Sequence, residues 1–238
     1  MTAAIATGSV RKNVITIQVS TADEGLQQIS EAFDAGVLHE VQDAIDAIRR
    51  GEMVVVVDDE DRENEGDLIV AAEFADAAVV NFMITHGRGL VCVAISAARA
   101  EELRLPPMVT VNEDQKGTAF TVSVDGAPAH GITTGISAHE RARTIELILN
   151  GSADDLRRPG HMFPLVAEDG GVLKRRGHTE ASVELAALAG LSPAAVIVEI
   201  INPDGTMARL PQLVEFSRKH GLLLTSIEKL VEYVEARP

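Results

Sequence analysis

The sequence has one cysteine, no long apolar run and few positive charges, and each of these shortages excludes a class of protein. The single cysteine, Cys92, excludes an internal disulfide framework and any zinc site that needs several thiolates from this chain. The longest apolar stretches, residues 53–57 and 194–198, are far shorter than the roughly 20 residues that cross a bilayer. With 36 acidic and 21 basic residues the formal net charge is −15, so we expect neither nucleic acid nor a membrane as a partner.

The N-terminus does not have the pattern of a secretory signal. Its basic pair, Arg11 and Lys12, follows the weakly apolar residues 1–10 instead of preceding them. Together with the single cysteine, which is typical of a reducing compartment, this predicts a cytoplasmic protein. Residues 1–37 lack a clear start signal for a packed element, although residues 22–33 fit a short amphipathic helix. We interpret 1–37 as an N-terminal extension and 38–238 as the functional domain.

Helical and strand-like patterns alternate along residues 38–238. Apolar positions at helical spacing predict a helix from Leu38 to Gly51, and the apolar run at 53–57 then predicts a buried strand. Further helices are predicted at 79–86, 97–103, 137–149, 181–188, 213–219 and 227–234, and further strands at 90–95, 120–124, 195–201 and 222–224. This order predicts an α+β fold of the layered α/β kind, a single domain in which helices flank one mixed sheet.

The densest polar segment is the acidic run at residues 58–67, which follows four successive valines. Carboxylate oxygens at the end of a strand are the ligands that Mg²⁺ prefers, so this run is a candidate metal site. Two other interpretations stay open. The run is also typical of a solvated acidic turn, and counting from Asp61 it partly fits a calcium-binding loop. That loop requires a bidentate Glu at its twelfth position, which is Ala72 here.

A second polar segment, residues 170–180, combines glycines with three successive cations, Lys174, Arg175 and Arg176, and with His178. Backbone N–H groups at a helix start, helped by arginines, favour binding of a phosphate or carboxylate. A neutral His178 is a candidate metal ligand. The alternative is a histidine that caps the helix or lies on the surface.

Three further positions are candidates for a site. Residues 157–161 form a basic, turn-forming run that ends in His161, and residues 131–137 place hydroxyls, among them Thr134, between glycines at a predicted helix start. Glu199 interrupts an apolar strand. Because an unpaired buried carboxylate costs several kcal/mol, Glu199 indicates a site or a salt bridge. Cys92 fits a small core residue better than a nucleophile.

Five of these segments, in this order, resemble the 3,4-dihydroxy-2-butanone 4-phosphate synthase family. They are DDEDRENEGD, GITTGIS, RRPGHMFPL, GGVLKRRGHTEA and NPDGTMAR, and the match extends from Leu38 to Tyr233. The resemblance implies conversion of ribulose 5-phosphate into formate and a four-carbon ketone phosphate in riboflavin biosynthesis. It also implies a requirement for Mg²⁺, for which Mn²⁺ can substitute, and a homodimer with active sites near the subunit interface.

The resemblance implies roles for single residues. Glu63 and His178 match the family's metal ligands, and His161 and Glu199 match two positions that the family needs for catalysis. The positions expected to contact the substrate are Arg62, Glu63, Asp67, Thr134, Arg175, Arg176, Gly177, His178, Thr179 and Glu199.

The sequence departs from the family pattern at Glu140, where the family usually has Asp, and this puts the role of Glu140 in doubt. Some relatives are fused to GTP cyclohydrolase II, whose zinc site uses several cysteines, so a chain with one cysteine is expected to be monofunctional. Two other classes of function stay open. They are a different metal-dependent sugar-phosphate enzyme, such as an isomerase or aldolase, and a calcium-binding regulatory module.

Overall fold

The structure is a computed structural model that describes residues 37–237. The predicted N-terminal extension, with the helix expected over 22–33, lies outside the described residues apart from Val37 and stays a prediction. The strands of the described part are β1 (Val54–Val57), β2 (Gly66–Ala71), β3 (Cys92–Ile95), β4 (Val124–Gly126), β5 (Leu156–Val166), β6 (Ala194–Glu199) and β7 (Leu223–Ser226). Its α-helices are α1 (Val41–Arg49), α2 (Ala77–Phe82), α3 (Ala97–Glu102), α4 (Ala138–Asn150), α5 (Gly171–Lys174), α6 (His178–Leu188), α7 (Leu210–His220) and α8 (Ile227–Glu235).

The seven strands form one mixed sheet with the order β4-β5-β3-β6-β2-β1-β7. Strands β1 and β2 are antiparallel neighbours joined by the acidic run, and β2 also pairs antiparallel with β6. The pairs β3–β5 and β1–β7 are parallel. In the β2–β6 pair Asp67 lies directly opposite Glu199, so two carboxylates meet at one edge of the sheet.

Helices cover both faces of the sheet. Every residue of β1, β2 and β3 is buried, which explains why these strands are apolar without a period of two. One apolar core joins the sheet to α2, α3, α4 and α7, and a second joins its other face to α1, α5, α6 and α8. The predicted mixed sheet with flanking helices is therefore confirmed. Among the described helices, none is both long and apolar enough to span a bilayer.

Two sequence-based expectations about local structure are wrong. The expected turn at residues 157–161 is part of β5, which pairs with β3 and β4. The expected strand at 120–124 forms only isolated bridges, at Phe120 and Thr121, before the short β4 begins at Val124. Strand β2, which follows the acidic run directly, was not predicted.

The predicted start of α4 is confirmed, because the Ser137 side chain accepts a hydrogen bond from the Glu140 N–H at 3.2 Å. Helix α6 begins three residues earlier than expected, at His178, with Gly177 as its N-cap. His178 therefore belongs to the first helical turn and lies against the sheet.

Candidate active site

A cavity of about 150 Å³ lies at the edge of the sheet where β2 begins and β6 ends. Its polar lining consists of Arg62, Glu63, Glu65, Asp67, Thr118, Arg175, His178, Thr179 and Glu199. Its apolar lining consists of Leu90, Cys92, Phe120, Leu165 and Ile197. A larger cavity of about 780 Å³, beside His86 and His220, is lined by none of the predicted site residues. The small cavity therefore carries the candidate chemistry.

The buried imidazole of His178 has a defined orientation. Its Nε2 lies 3.1 Å from the carbonyl oxygen of Val56, which only accepts, so Nε2 carries the hydrogen. The other nitrogen, Nδ1, faces Glu63 Oε2 at 3.7 Å and Asp67 Oδ1 at 3.9 Å. In the neutral imidazole Nδ1 presents its lone pair to these two carboxylates, as a metal ligand would.

The charges around His178 shift the pKa of each group. Burial opposes a charged imidazole, but the carboxylates of Asp67 and Glu63 outweigh it and raise the pKa of His178 to about 9. The interaction with His178, together with Arg62, lowers the pKa of Glu63 to about 2 despite its partial burial. Burial raises the pKa of Asp67 to about 7. At neutral pH these shifts favour an ionised Glu63 beside a protonated imidazole, so a cation that binds Nδ1 would displace a proton from it.

The donor set at this position fits a divalent cation. Ligand atoms of Asp58, Glu63 and His178 all lie within 4.8 Å of one another. In addition Asp67 Oδ1 is buried and has no hydrogen-bond partner in the described part of the chain. An orphaned buried carboxylate oxygen beside an imidazole and an ionised carboxylate is the arrangement that an oxygen-preferring ion such as Mg²⁺ satisfies.

Asp58 shapes the acidic loop. Its buried carboxylate accepts hydrogen bonds from the backbone N–H groups of Glu63 at 3.1 Å and Glu65 at 2.8 Å, and from Arg62 Nη1 at 2.9 Å. These contacts fold the chain back on itself before β2 begins. The calcium-loop interpretation fails here, because its sixth to eleventh positions are the strand Gly66–Ala71 and cannot wrap an ion.

Arg209 is a residue whose structural role the sequence did not reveal. Its Nη1 donates to the carbonyl oxygens of Glu63, at 2.7 Å, and Asn64, and so ties the acidic loop to the start of α7. Arg209 is the last residue of the NPDGTMAR motif, which was the one signal for it.

Glu199 is half-buried at the end of β6 and is held by the loop that leads into β3. Its Oε2 accepts a hydrogen bond from the Leu90 N–H at 2.8 Å. Gly89 leaves space for this carboxylate, since a Cβ at position 89 would lie 2.4 Å from Glu199 Oε2. The expectation that Glu199 belongs to a site or a salt bridge agrees with its place in the cavity wall.

The predicted basic segment divides into two parts. Arg175 is half-buried and lines the cavity, and the buried Thr179 lies beside it in the first turn of α6. Arg176 is exposed and does not line the cavity. It is close enough to Asp59 to oppose the rise in the pKa of that carboxyl group that burial and Asp58 cause.

His161 and Thr134 do not line the cavity. His161 is exposed on β5, and its Nδ1 lies 2.8 Å from Asp125 Oδ2, while its backbone N–H donates to Asp125 Oδ1 at 2.8 Å. Thr134 precedes Gly135, whose backbone packs closely against Asp125. A Cβ at position 135 would lie 2.1 Å from Asp125 Oδ2. Asp125, which the sequence did not single out, therefore joins these two segments in a second cluster.

Comparison with known proteins assigns the chain to one family model, described as 3,4-dihydroxy-2-butanone 4-phosphate synthase, which matches residues 42–233. The riboflavin biosynthesis protein RibBA of Synechocystis sp. is 60% identical over 197 residues, which are 80% of this chain and 35% of that protein. RibBA of Aquifex aeolicus is 56% identical over 195 residues, 81% of this chain and 48% of that protein. The chain thus spans less than half the length of these relatives.

Solved structures share the fold. A 3,4-dihydroxy-2-butanone 4-phosphate synthase in complex with two magnesium ions aligns with a TM-score of 0.79 and 45% identity, and the match covers 83% of this chain and 97% of that one. RibBX from A. baumannii, a two-domain synthase of the same name, aligns with a TM-score of 0.81 and 48% identity, covering 84% of this chain and 59% of that one.

Proposed function

The chain belongs to the 3,4-dihydroxy-2-butanone 4-phosphate synthase family, and we propose that it is a lyase of riboflavin biosynthesis. The reaction converts D-ribulose 5-phosphate into formate and L-3,4-dihydroxy-2-butanone 4-phosphate. One observation carries the proposal: Glu63, Asp67, His178 and Glu199 face a single small cavity together with Arg175. Such a cavity joins metal ligands, a candidate proton-transfer group and a phosphate-binding cation around one small substrate.

Glu63 and His178 are the residues that would hold the metal. Mg²⁺, for which we expect Mn²⁺ to substitute, supplies Lewis-acid stabilisation of negative charge on neighbouring substrate oxygens. Hydrogen bonds within the protein fix both ligands. The Val56 carbonyl oxygen fixes the tautomer of His178, and the Asp58 carboxylate holds the backbone N–H of Glu63. The buried Asp67 Oδ1, 3.9 Å from His178 Nδ1, would add a third ligand atom.

Glu199 is our candidate for proton transfer. Its Oε2 is occupied by the Leu90 N–H, which fixes the carboxylate in the cavity wall and leaves Oε1 for the substrate. The reaction needs a proton to be removed beside a ketone and returned at another carbon. A carboxylate at fixed orientation is suited to both steps.

Arg175 and the first turn of α6 would bind the phosphate. The backbone N–H groups at a helix start favour anions, and Arg175 and Thr179 line the cavity beside them. Arg62, paired with Glu63 at 2.6 Å, lies where it can contact the sugar oxygens next to the metal position. Phosphate binding fixes the register of the sugar against Glu199.

We further propose that the enzyme is a homodimer, with neither nucleic acid nor a membrane as a partner. His161 is exposed and lies outside the cavity of its own chain. A catalytic role for His161 and a substrate role for Thr134 therefore require a second copy whose cavity they approach. Twofold dimers are the commonest assembly of such enzymes.

We also propose that the protein is cytoplasmic, because the free, buried thiol of Cys92 fits a reducing compartment.

We assign a single activity to these 238 residues, because one cysteine cannot form the multi-thiolate zinc site of GTP cyclohydrolase II.

The test is incubation of the purified protein with ribulose 5-phosphate and Mg²⁺ while formate is followed by NMR. We expect formate to accumulate and excess EDTA to stop it. An isomerase would instead give a second pentose phosphate, and an aldolase would give shorter fragments without formate. Folded protein that releases no formate would overturn the proposal.

A further inference from the structure

We infer that Glu180 is a positioning residue for substrate binding, because its buried carboxylate fixes the guanidinium of Arg175 in the cavity wall. The inference rests on the proposed function in one respect, which is that Arg175 contacts the phosphate of the substrate. Glu180 does not itself line the cavity, whereas Arg175 does. Any effect of Glu180 on the substrate therefore passes through another residue.

Both oxygens of the Glu180 carboxylate are engaged. Oε2 accepts from Arg175 Nη1 at 2.6 Å, and Oε1 accepts from the backbone N–H of Glu168 at 2.9 Å. The Glu180 side chain is only 1% exposed. A buried carboxylate with two fixed donors has one orientation, so the guanidinium that it binds has little freedom.

The guanidinium nitrogens of Arg175 also bind the segment at residues 116–118. Arg175 Nε and Nη2 donate to the carbonyl oxygen of Lys116, at 3.3 and 3.1 Å, and Nη2 also donates to Thr118 Oγ1 at 3.2 Å. Lys116 Nζ in turn contacts the carbonyl oxygen of Arg62. The ion pair thus joins α6 to two other walls of the cavity.

These contacts use four of the five guanidinium N–H groups of Arg175, two of them on the same carbonyl oxygen. The remaining Nη1 N–H has no acceptor in the part of the chain that the structure describes, so it can meet the substrate. Because Glu180 Oε2 accepts a hydrogen bond from the same Nη1, it fixes the direction of the remaining Nη1 N–H. A guanidinium fixed before binding loses less conformational entropy when the phosphate arrives.

Gly177 makes room for this ion pair. A Cβ at position 177 would lie 2.2 Å from Arg175 Nη1 and 2.8 Å from Glu180 Oε2. The absence of a side chain at Gly177 lets the pair form beside the helix start, while the expected contact of Gly177 with the substrate stays a prediction.

The kinetic test uses Glu180→Gln, which keeps the size of the side chain and an acceptor for the Glu168 N–H. We expect KM for ribulose 5-phosphate to rise roughly tenfold or more, the loss typical of one charge-assisted hydrogen bond, with a much smaller change in kcat. The matched control is Glu184→Gln, one turn further along α6 and half-buried, which should leave KM within about twofold. Melting temperatures of both variants show that the assays use folded protein.

A double-variant cycle separates positioning from general damage to the structure. In an Arg175→Met background, Glu180→Gln should add less than about twofold to KM, because its effect passes through Arg175. The double variant also removes both buried charges, so it stays folded even where a single variant leaves one charge unpaired. Equal effects of Glu180→Gln in the two backgrounds would overturn the inference.

A spectroscopic readout keeps this test independent of the proposed activity. The ¹⁵Nε–H signal of Arg175, assigned with Arg175→Lys, should lie apart from those of exposed arginines and move towards them in Glu180→Gln but not in Glu184→Gln. If the wild-type protein releases no formate, the proposed function fails while this signal still reports on Glu180. An Arg175 signal unchanged by Glu180→Gln contradicts the positioning role.

Discussion

Glu63 is the side chain on which the proposed metal position depends most directly. Its carboxylate lies between Arg62 Nη1 at 2.6 Å and His178 Nδ1 at 3.7 Å, and these neighbours keep it ionised. An ionised oxygen beside an imidazole that gives up its Nδ1 proton binds a cation more strongly than either group alone. The exposed acids of the same loop, such as Asp61, lack this geometry.

We therefore predict that Glu63→Gln weakens Mg²⁺ binding by at least roughly tenfold and nearly abolishes turnover, because a neutral amide replaces the one fully ionised ligand. Isothermal titration with Mg²⁺ and the formate assay measure the two effects. Asp61→Asn removes the same charge from the same loop and should change neither by more than about twofold. Equal losses in both variants would show that only the net charge of the loop matters.

Glu199 is predicted to act on the rate more than on binding. Glu199→Gln keeps an acceptor for the Leu90 N–H but cannot take a proton, so kcat should fall by roughly 10²- to 10⁴-fold. Affinity for ribulose 5-phosphate, titrated without added metal so that turnover is blocked, should change little. A loss of affinity that matches the loss of rate would make Glu199 a binding group.

Helix α4 begins with a local network centred on Glu140. Its carboxylate accepts from the backbone N–H and the hydroxyl of Thr133 and from the hydroxyl of Ser137. These hydrogen bonds, first those of Thr133, lower the pKa of Glu140 to about 2 from an ordinary value of 4.5. The residue that departs from the family pattern thus stabilises the link between the TTGIS motif and its helix.

This network predicts a component of the acid sensitivity of the fold. A carboxyl group whose pKa is lower in the folded state stabilises the protein above its unfolded pKa of 4.5, and this contribution is lost as the pH falls towards 2. Glu140→Gln should therefore reduce the free energy of unfolding at pH 7. Between pH 4.5 and 2 the free energy of unfolding of the variant should fall less steeply than that of the wild-type protein. Urea unfolding at several pH values measures this. Glu146→Gln, on the exposed side of the same helix, should keep the wild-type slope below pH 4.5.

Sequence patterns predicted the elements that have one strong local signal and missed those whose signal is mixed. Four valines predicted β1, and helical spacing predicted α1, because each is buried on a regular face. Strand β5 was read as a turn because Pro159 and Gly160 usually mark turns, and because its exposed arginines hide the alternation. The bounds of β2 were hidden by the acidic run that continues into Asp67.

The candidate site could also be predicted only where a residue has a local signal. His178 and Glu199 are unusual in their own segments, whereas only the family resemblance selects Glu63 within the acidic run. The fold brings the three residues to one cavity. Asp125, Arg209 and the bonds from Arg175 to Lys116 and Thr118 act through contacts between distant segments. No spacing along the chain reveals such contacts.

The proposed homodimer follows from the distribution of the predicted catalytic groups over the molecule. Glu63, His178 and Glu199 share a cavity, while His161 lies on β5 beside Asp125 and faces solvent. A catalytic role for His161, as predicted, therefore places it at the cavity of a second copy, because it does not line the cavity of its own chain. We expect light scattering to give twice the 25.3 kDa of one chain at micromolar concentration.

Mixed dimers test this division of the site directly. We predict that Glu63→Gln and His161→Ala are each nearly inactive alone, and that a mixture allowed to exchange subunits recovers about a quarter of the wild-type rate. Random exchange makes half of the dimers mixed, and each mixed dimer has one cavity with an intact Glu63 and an intact His161 of its partner. If His161 served its own cavity, every cavity in the mixture would carry one defect and the rate would stay near zero. A mixture of Glu63→Gln with His178→Ala is the control: both residues line the cavity of their own chain, so every cavity in the mixture carries one defect and the rate should stay near zero.

A second mixture combines wild-type protein with a double variant that carries Glu63→Gln and His161→Ala in the same chain. In that mixture each mixed dimer pairs one cavity lacking Glu63 with one lacking its partner's His161, so the mixed dimers are inactive and the rate falls to about a quarter, whereas independent sites would keep about half.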